Sequence, residues 1–174
     1  MRARTLFTVR ANRANRTVET FPSVWHNQAI LSEAEFALDG DIRELVPLAA
    51  ELDKFCRQNS LTSDVEFELN LVLEELFTNA IRHGGCEGMS EAAQIRLRSD
   101  PDGVSVEFAD RGAAFDPLQA AEPDLETDLA HRQAGGLGIH LVRQIMQDLE
   151  YRRAGGWNRL TMRRASQLKR QGKG

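Results

Sequence analysis

The chain lacks the marks of several whole classes of protein. It holds two cysteines in 174 residues, Cys56 and Cys86, and no Cys-x-x-Cys pair. Such spacing offers neither a disulfide framework nor a zinc site. It fits lone, buried thiols in a reducing, cytoplasmic setting. No apolar run is long enough to span a bilayer. Arg2, Arg4, Arg10, Arg13 and Arg16 crowd the start, but no apolar stretch follows them. A secretory signal is therefore not expected. An Arg-rich, acid-poor start also resembles an organelle transit peptide in composition, and residues 1–28 read instead as a flexible extension. The formal net charge of −4 gives no general drive toward nucleic acid. Internal repeats and low-complexity tracts are absent as well. What remains is ordinary for a globular protein: 41% hydrophobic and 28% charged residues, in a length suited to one domain with its own core.

The most informative stretch runs from Val65 to Gly84. Val65, Leu69, Val72, Leu76 and Ala80 recur at three- and four-residue steps, and Leu73, Phe77 and Ile81 widen this apolar stripe. Glu75, Asn79 and His83 stand four apart and stack on a second face. Read alone, such a row also describes an ordinary solvated face. Ser63 with Glu66 forms a capping box that opens the helix, and Gly84-Gly85 ends it.

Around this helix the elements follow in order. Residues 34–38 alternate as a strand with Phe36 and Leu38 on one face. Asp41 and Glu44 cap a helix reaching Arg57, with Ile42, Leu45, Leu48, Ala49, Leu52 and Phe55 inward; Pro47 marks a kink or a later start. Residues 93–98 and 104–108 form a hairpin about Asp100-Pro-Asp-Gly103. Residues 118–134 carry no apolar stripe and read as a long flexible loop. Ile139, Leu141, Val142, Ile145 and Met146 define a third helix, and residues 149–152 and 159–162 a second hairpin. From Arg163 onward the chain reads as a basic tail. This order is not the strict alternation of a Rossmann domain. It predicts an α/β (α+β) two-layer sandwich, with helices on one face of a mixed, mostly antiparallel sheet.

Three stretches carry chemistry. On the long helix, Asn79 offers an amide oxygen suited to Mg²⁺, and Glu75 a carboxylate able to orient or deprotonate a hydroxyl. Asp110-x-Gly112 leaves a strand. Its carboxylate can accept from an exocyclic amine, and its glycine would let a flat ring approach the backbone. Gly135-Gly-Leu-Gly138 opens a helix whose amides favour phosphate, although no P-loop signature is present. Singly, the second and third also describe a strand-ending turn and a loop-to-helix turn.

In combination they say more. An E-x-x-x-N helix, a D-x-G-x-x-F-D-P after a strand, and a G-G-x-G before a helix, in that order with a long loop between the last two, resemble the Bergerat-fold (GHKL) ATPases over roughly residues 32–164. The wording T-N-A-I-x-H-G and G-G-L-G-I-H-L-V is most similar to the anti-sigma-factor serine/threonine kinases of bacterial partner-switching systems. That resemblance implies a histidine-kinase-like ATPase domain over residues 29–165, followed by a basic tail over 166–174. It implies ATP and Mg²⁺ as cofactors, Asn79 as metal ligand and Glu75 as catalytic base. Glu74 precedes Glu75 but points about 100° away on an ideal helix. Asp110 and Gly112 match the adenine-reading pair, Gly135, Gly136, Leu137 and Gly138 the phosphate-closing turn, and residues 118–134 the ATP lid. Arg132 or His131 would supply the lid's basic residue. The implied activity is transfer of the γ-phosphoryl to a small STAS-type antagonist protein, alternating with sequestration of a sigma factor or other regulator by a homodimer in the bacterial cytoplasm, with no nucleic acid or membrane partner. The other reading is a nucleotide-gated binding module that sequesters a regulator and transfers nothing.

Overall fold

The computed structural model describes residues 30–119 and 136–165. Five strands and three helices follow the expected order. They are β1 (Ser32–Leu38), α1 (Leu45–Gln58), α2 (Ser63–Arg82), β2 (Ala93–Asp100), β3 (Gly103–Asp110), α3 (Gly136–Ile145), β4 (Gln147–Ala154) and β5 (Trp157–Ala165). The sheet order is β1-β2-β3-β5-β4, and every neighbouring pair is antiparallel rather than mixed. No described helix is long and apolar enough to cross a membrane.

The register sorts the side chains into two faces. Phe36 stands opposite Ile95, Ile95 opposite Phe108, and Phe108 opposite Leu160. These residues line the face that meets Leu48, Leu52 and Phe55 of α1, the buried stripe of α2, and Ile139 and Val142 of α3 in one core. Leu69, Val72, Leu73 and Phe77 have no exposed surface, so α2 is the helix about which both layers close. The opposite face of the sheet is charged. Arg98 pairs with Glu33 at 3.1 Å, Arg96 with Glu35 at 3.1 Å, and Arg159 with the buried Glu107 at 2.9 Å. Cross-strand pairs of opposite sign stabilise a sheet face that the three helices do not cover.

Several boundaries differ from the sequence reading, each for a physical reason. Ile42 lies in a 3-10 turn, Ile42–Glu44, where the 3.6-residue period does not hold, and it is 42% exposed rather than inward. Asp41 caps that turn by accepting from the Arg43 N–H. The α-helix proper starts at Leu45, so Pro47 falls in its first turn, where a missing N–H leaves no bond unmade. The cap of α2 is Thr62, not Ser63. Thr62 holds an extended backbone (ψ 156°) and its hydroxyl accepts from the Val65 N–H. Arg163 is no tail residue: it lies in β5 with a bidentate bond to Asp100 at 2.7 Å. Arg164 bonds Glu68 of α2. Cys56 and Cys86 are free and fully buried, and burial pushes the Cys56 thiol up to about 12. The expected extension at residues 1–28 and basic tail at 166–174 lie outside the described residues.

The loop after α2 is tied down from behind by Gly40. Gly40 donates to the Met89 carbonyl at 2.7 Å and accepts from the Gly88 N–H at 2.8 Å. A Cβ on Gly40 would stand 1.9 Å from the Cys86 carbonyl oxygen, which is backbone and cannot step aside cheaply. Gly40→Ala should destabilise the fold by about 1–3 kcal/mol or more. Urea denaturation would read this as a lower midpoint, and an unchanged midpoint would refute the packing assignment.

Candidate nucleotide site

α2 supplies the spine of the site. Its one-turn spacing puts Glu75, Asn79 and His83 on one edge, beside the buried stripe. The three are not equivalent. Glu75 and Asn79 are half-buried, whereas His83 is exposed and closes the helix by giving its N–H to the Asn79 carbonyl at 2.9 Å.

Glu75 meets the start of α3. A Cβ on Gly138 would stand 2.2 Å from Glu75 Oε2 and 3.0 Å from its Cδ. The glycine's bare Cα is therefore what lets the carboxylate lie against that helix. The first turn of α3 presents backbone N–H groups without intrahelical partners, the ordinary basis of anion binding at a helix start. Gly136 and Leu137 belong to this turn; Gly135, Arg132, His131 and the lid residues 120–134 lie outside the described residues.

Asn79 lies one turn further on. Its side-chain nitrogen is buried and has no hydrogen-bond partner among the described residues. An unpaired buried amide costs about 1–3 kcal/mol, so such a group in a half-buried cleft is best explained by a missing partner. Among the described residues no cluster of three or more His, Cys, Asp or Glu could hold a metal ion by itself. An ion here would take its oxygens from Asn79, water and a bound phosphate, a donor set that suits Mg²⁺.

The far end of α2 meets the loop that leaves β3. Ala113 donates to the Gly84 carbonyl at 2.8 Å, and a Cβ on Gly112 would lie within 3.0 Å of Gly84 and Asp110 atoms. In the direction a Cβ would take, Gly112 is closely packed against Gly84 and the Asp110 carboxylate. Asp110 Oδ1 accepts from the Gly112 N–H and from Asn158 Nδ2, both at 2.8 Å. Burial pushes the Asp110 carboxyl up from its ordinary range, against the pull of those two bonds and of the Arg153 charge. Glu75 therefore lies two turns of helix, roughly 10 Å of rise, before the end of α2 that meets the Asp110 loop. Arg143 of α3 closes the frame by donating to the Pro117 carbonyl at 2.7 Å.

Sequence reasoning missed three participants: Asn158, Tyr151 and Arg153. Tyr151 Oη and Arg153 Nη1 donate to Asn158 Oδ1 at 2.9 and 2.7 Å, and Arg153 Nη1 also reaches the Gly112 carbonyl at 2.8 Å. No local motif marks them, because sheet register alone brings them to Asp110.

A family model described as the histidine kinase-like ATPase domain matches residues 38–164. The serine/threonine-protein kinase BtrW of Bordetella bronchiseptica is 36% identical over 111 residues, which cover 64% of this chain and 78% of that one. The crystal structure of the RsbU and RsbW domains of Rv1364c from Mycobacterium tuberculosis superposes with a TM-score of 0.56 at 15% identity. That match covers 77% of this chain and 32% of that longer one, and it is a likeness of fold.

A buried carboxylate whose folded value is raised works against folding once it ionises. The stability it withholds is present below the unfolded value and lost as pH rises through the folded one. Asp110→Asn keeps the acceptor for Gly112 and Asn158 and removes the charge. This variant should be at least as stable as the native chain at pH 7, with the difference shrinking as the pH is lowered toward 4. Urea midpoints at the two pH values check this; an Asp110→Asn midpoint well below the native one at pH 7 would contradict it.

Proposed function

The chain belongs to the histidine kinase-like ATPase domain family, and on that footing we propose that it is an ATP-dependent protein serine/threonine kinase of a partner-switching circuit. The observation that carries this reading is the meeting of the Glu75 carboxylate with Gly138 at the start of α3. It puts a proton acceptor beside the place where a helix start would hold phosphate. The kinase name of the 36% identical relative supports the same direction.

Each residue then has a task. Asp110 accepts from the 6-amino group of adenine at one end of the cleft. The N-terminal amides of α3 at Gly136, Leu137 and Gly138 face the phosphates at the other, and Gly135 and Arg132 are further candidates for binding them. Asn79 holds Mg²⁺, which when bound supplies neutralisation of charge on the phosphate oxygens. Glu75 orients the incoming serine or threonine hydroxyl and takes its proton. Because the chemistry of phosphoryl transfer asks mainly for position and charge compensation, a rigid α2 carrying both Glu75 and Asn79 is an apt support. The acceptor is a small STAS-type antagonist protein, and the same surface alternately sequesters a sigma factor or other regulator, in a homodimer acting in the bacterial cytoplasm.

Two substitutions separate the roles. Glu75→Ala should leave Mg-ATP affinity within a few-fold of native and cut phosphorylation of the antagonist by roughly 10²–10⁴-fold. Transfer of label from ATP at the native rate would remove Glu75 from catalysis; absence of transfer in the native protein, with ATP still bound, would favour the nucleotide-gated binding module. Asn79→Ala should instead weaken Mg-ATP binding by about ten-fold or more, as seen by titration calorimetry with and without Mg²⁺. Intact Mg-dependent affinity in that variant would make the metal assignment wrong.

A further inference from the structure

Asp110, Asn158 and Arg153 lie side by side on three neighbouring strands. Asn158 of β5 stands opposite Asp110 of β3 on one side and opposite Arg153 of β4 on the other. Its carboxamide is buried and fully engaged. Both N–H bonds of Nδ2 are spent, one on Asp110 Oδ1 at 2.8 Å and one on the Ala113 carbonyl at 2.9 Å. Its Oδ1 accepts from Arg153 at 2.7 Å, from Tyr151 at 2.9 Å and from the Phe115 N–H at 3.4 Å. A flipped amide would set its oxygen against a carboxylate and a carbonyl, and its NH₂ against a guanidinium. The surroundings therefore dictate one orientation.

That orientation matters to Asp110. Two donors, the Gly112 N–H and Asn158 Nδ2, converge on Oδ1. No described residue donates to Oδ2, so its lone pairs are the ones still to be used. A buried carboxyl tends toward its neutral form, and a neutral Asp110 would carry an O–H donor. Donor or acceptor at this atom decides which purine edge fits: an acceptor welcomes a 6-amino group, whereas a donor welcomes a 6-oxo group.

We propose that Asn158, locked by Tyr151 and Arg153, is a specificity-determining positioning residue that holds Asp110 as a hydrogen-bond acceptor and so makes the cleft select 6-amino over 6-oxo purine nucleotides. The inference rests on the reading of Asp110 as the base-binding carboxylate. Asn158→Asp replaces the donated N–H by a second carboxyl, and two carboxyls at 2.8 Å share a proton rather than both ionise. The shared proton lies between Oδ1 and the new carboxyl, so Asp110 loses much of its negative charge and Oδ2 becomes a weaker acceptor for a 6-amino group. Tyr151→Phe removes a single donor and leaves the aromatic packing in place.

The test compares affinities for Mg-ATP, Mg-ITP and Mg-tripolyphosphate by titration calorimetry in the native protein and both variants, with thermal unfolding as a check on folding. The native protein should prefer ATP to ITP. Asn158→Asp should lower the ATP-to-ITP ratio by about ten-fold or more, chiefly by losing ATP affinity, and Tyr151→Phe by about three-fold. A merely structural role would weaken both nucleotides together and leave the ratio alone. A native preference for ATP that survives unchanged in both variants would overturn the role of Asn158 while leaving the nucleotide site intact. Equal native affinity for ATP and tripolyphosphate would overturn the base-binding reading of Asp110 and this proposal with it. Should Asn158→Asp not fold, Tyr151→Phe decides: an unchanged ratio in it overturns the lock.

Discussion

One contact holds α2 and the Asp110 loop to a common frame: the carbonyl of Gly84, just past α2, accepting from Ala113, just past β3. α2 is rigid because its stripe is buried along its whole length against the sheet. The loop after β3 is irregular and has no ladder of its own to fix it. The Gly84–Ala113 bond, with Gly112 packed bare against Gly84, transfers the rigidity of the helix to the loop. A side chain at 112 would force helix and loop apart, since Gly84 backbone atoms lie within 3.0 Å of an added Cβ, and one at 84 would press on the Ala80 carbonyl of α2's own last turn at 2.7 Å. Glycine there serves close approach; neither residue has the left-handed backbone that would demand it.

The same helix sets the spacing of chemistry. Glu75 and Asn79 are one turn apart because they share a face, and α3 is packed beside that face. The Glu75 carboxylate can keep this place against the start of α3 because position 138 has no side chain; a Cβ there would displace it. Two glycine contacts, one at Glu75 within α2 and one at Gly84 just past its end, thus fix the elements that flank Asn79. The distance between them is a property of helix geometry rather than of any loop.

How much of this was legible in the sequence follows from how local each signal is. The strands and helices showed in period: Phe36 and Leu38, Ile95 and Leu97, and the α2 stripe are all buried as their spacing predicts. Strand ends were read short where the residues are charged. Arg163 looked like a tail because its partner, Asp100, is 63 positions away and appears only once β5 lies beside β3. Ile42 was misplaced because a 3-10 turn breaks the helical period at that point. In the cleft, Glu75, Asn79, Asp110, Gly112 and Gly138 belong to compact motifs and could be named. Asn158 could not. After Gly155-Gly156-Trp157 it looks like a turn residue, yet the register sets it against Asp110, 48 positions earlier.

The cleft also stands out as the place where the fold gives up stability. Four buried side-chain atoms among the described residues lack a hydrogen-bond partner: in Gln94, Glu107, Arg152 and Asn79. The first three belong to the charged outer face of the sheet, where Arg152 stands 3.8 Å from Glu107 and opposite charges supply a compensating field. Asn79 has no such compensation, since it sits on the helix layer beside the core stripe. Asp110, where β3 enters the loop that meets the end of α2, is half-buried in spite of its charge, and desolvation pushes its carboxyl up. A chain selected only to fold would replace both by apolar or neutral residues at little steric cost. Their retention on α2 and at the loop that meets its end, each with a lone pair or N–H left over after the protein's own bonds are counted, is what a site awaiting a polar ligand requires. On the proposed reading the ligand brings a hydrogen-bond donor to Asp110 and hard oxygens within reach of Asn79, and an adenine nucleotide carries both on one molecule.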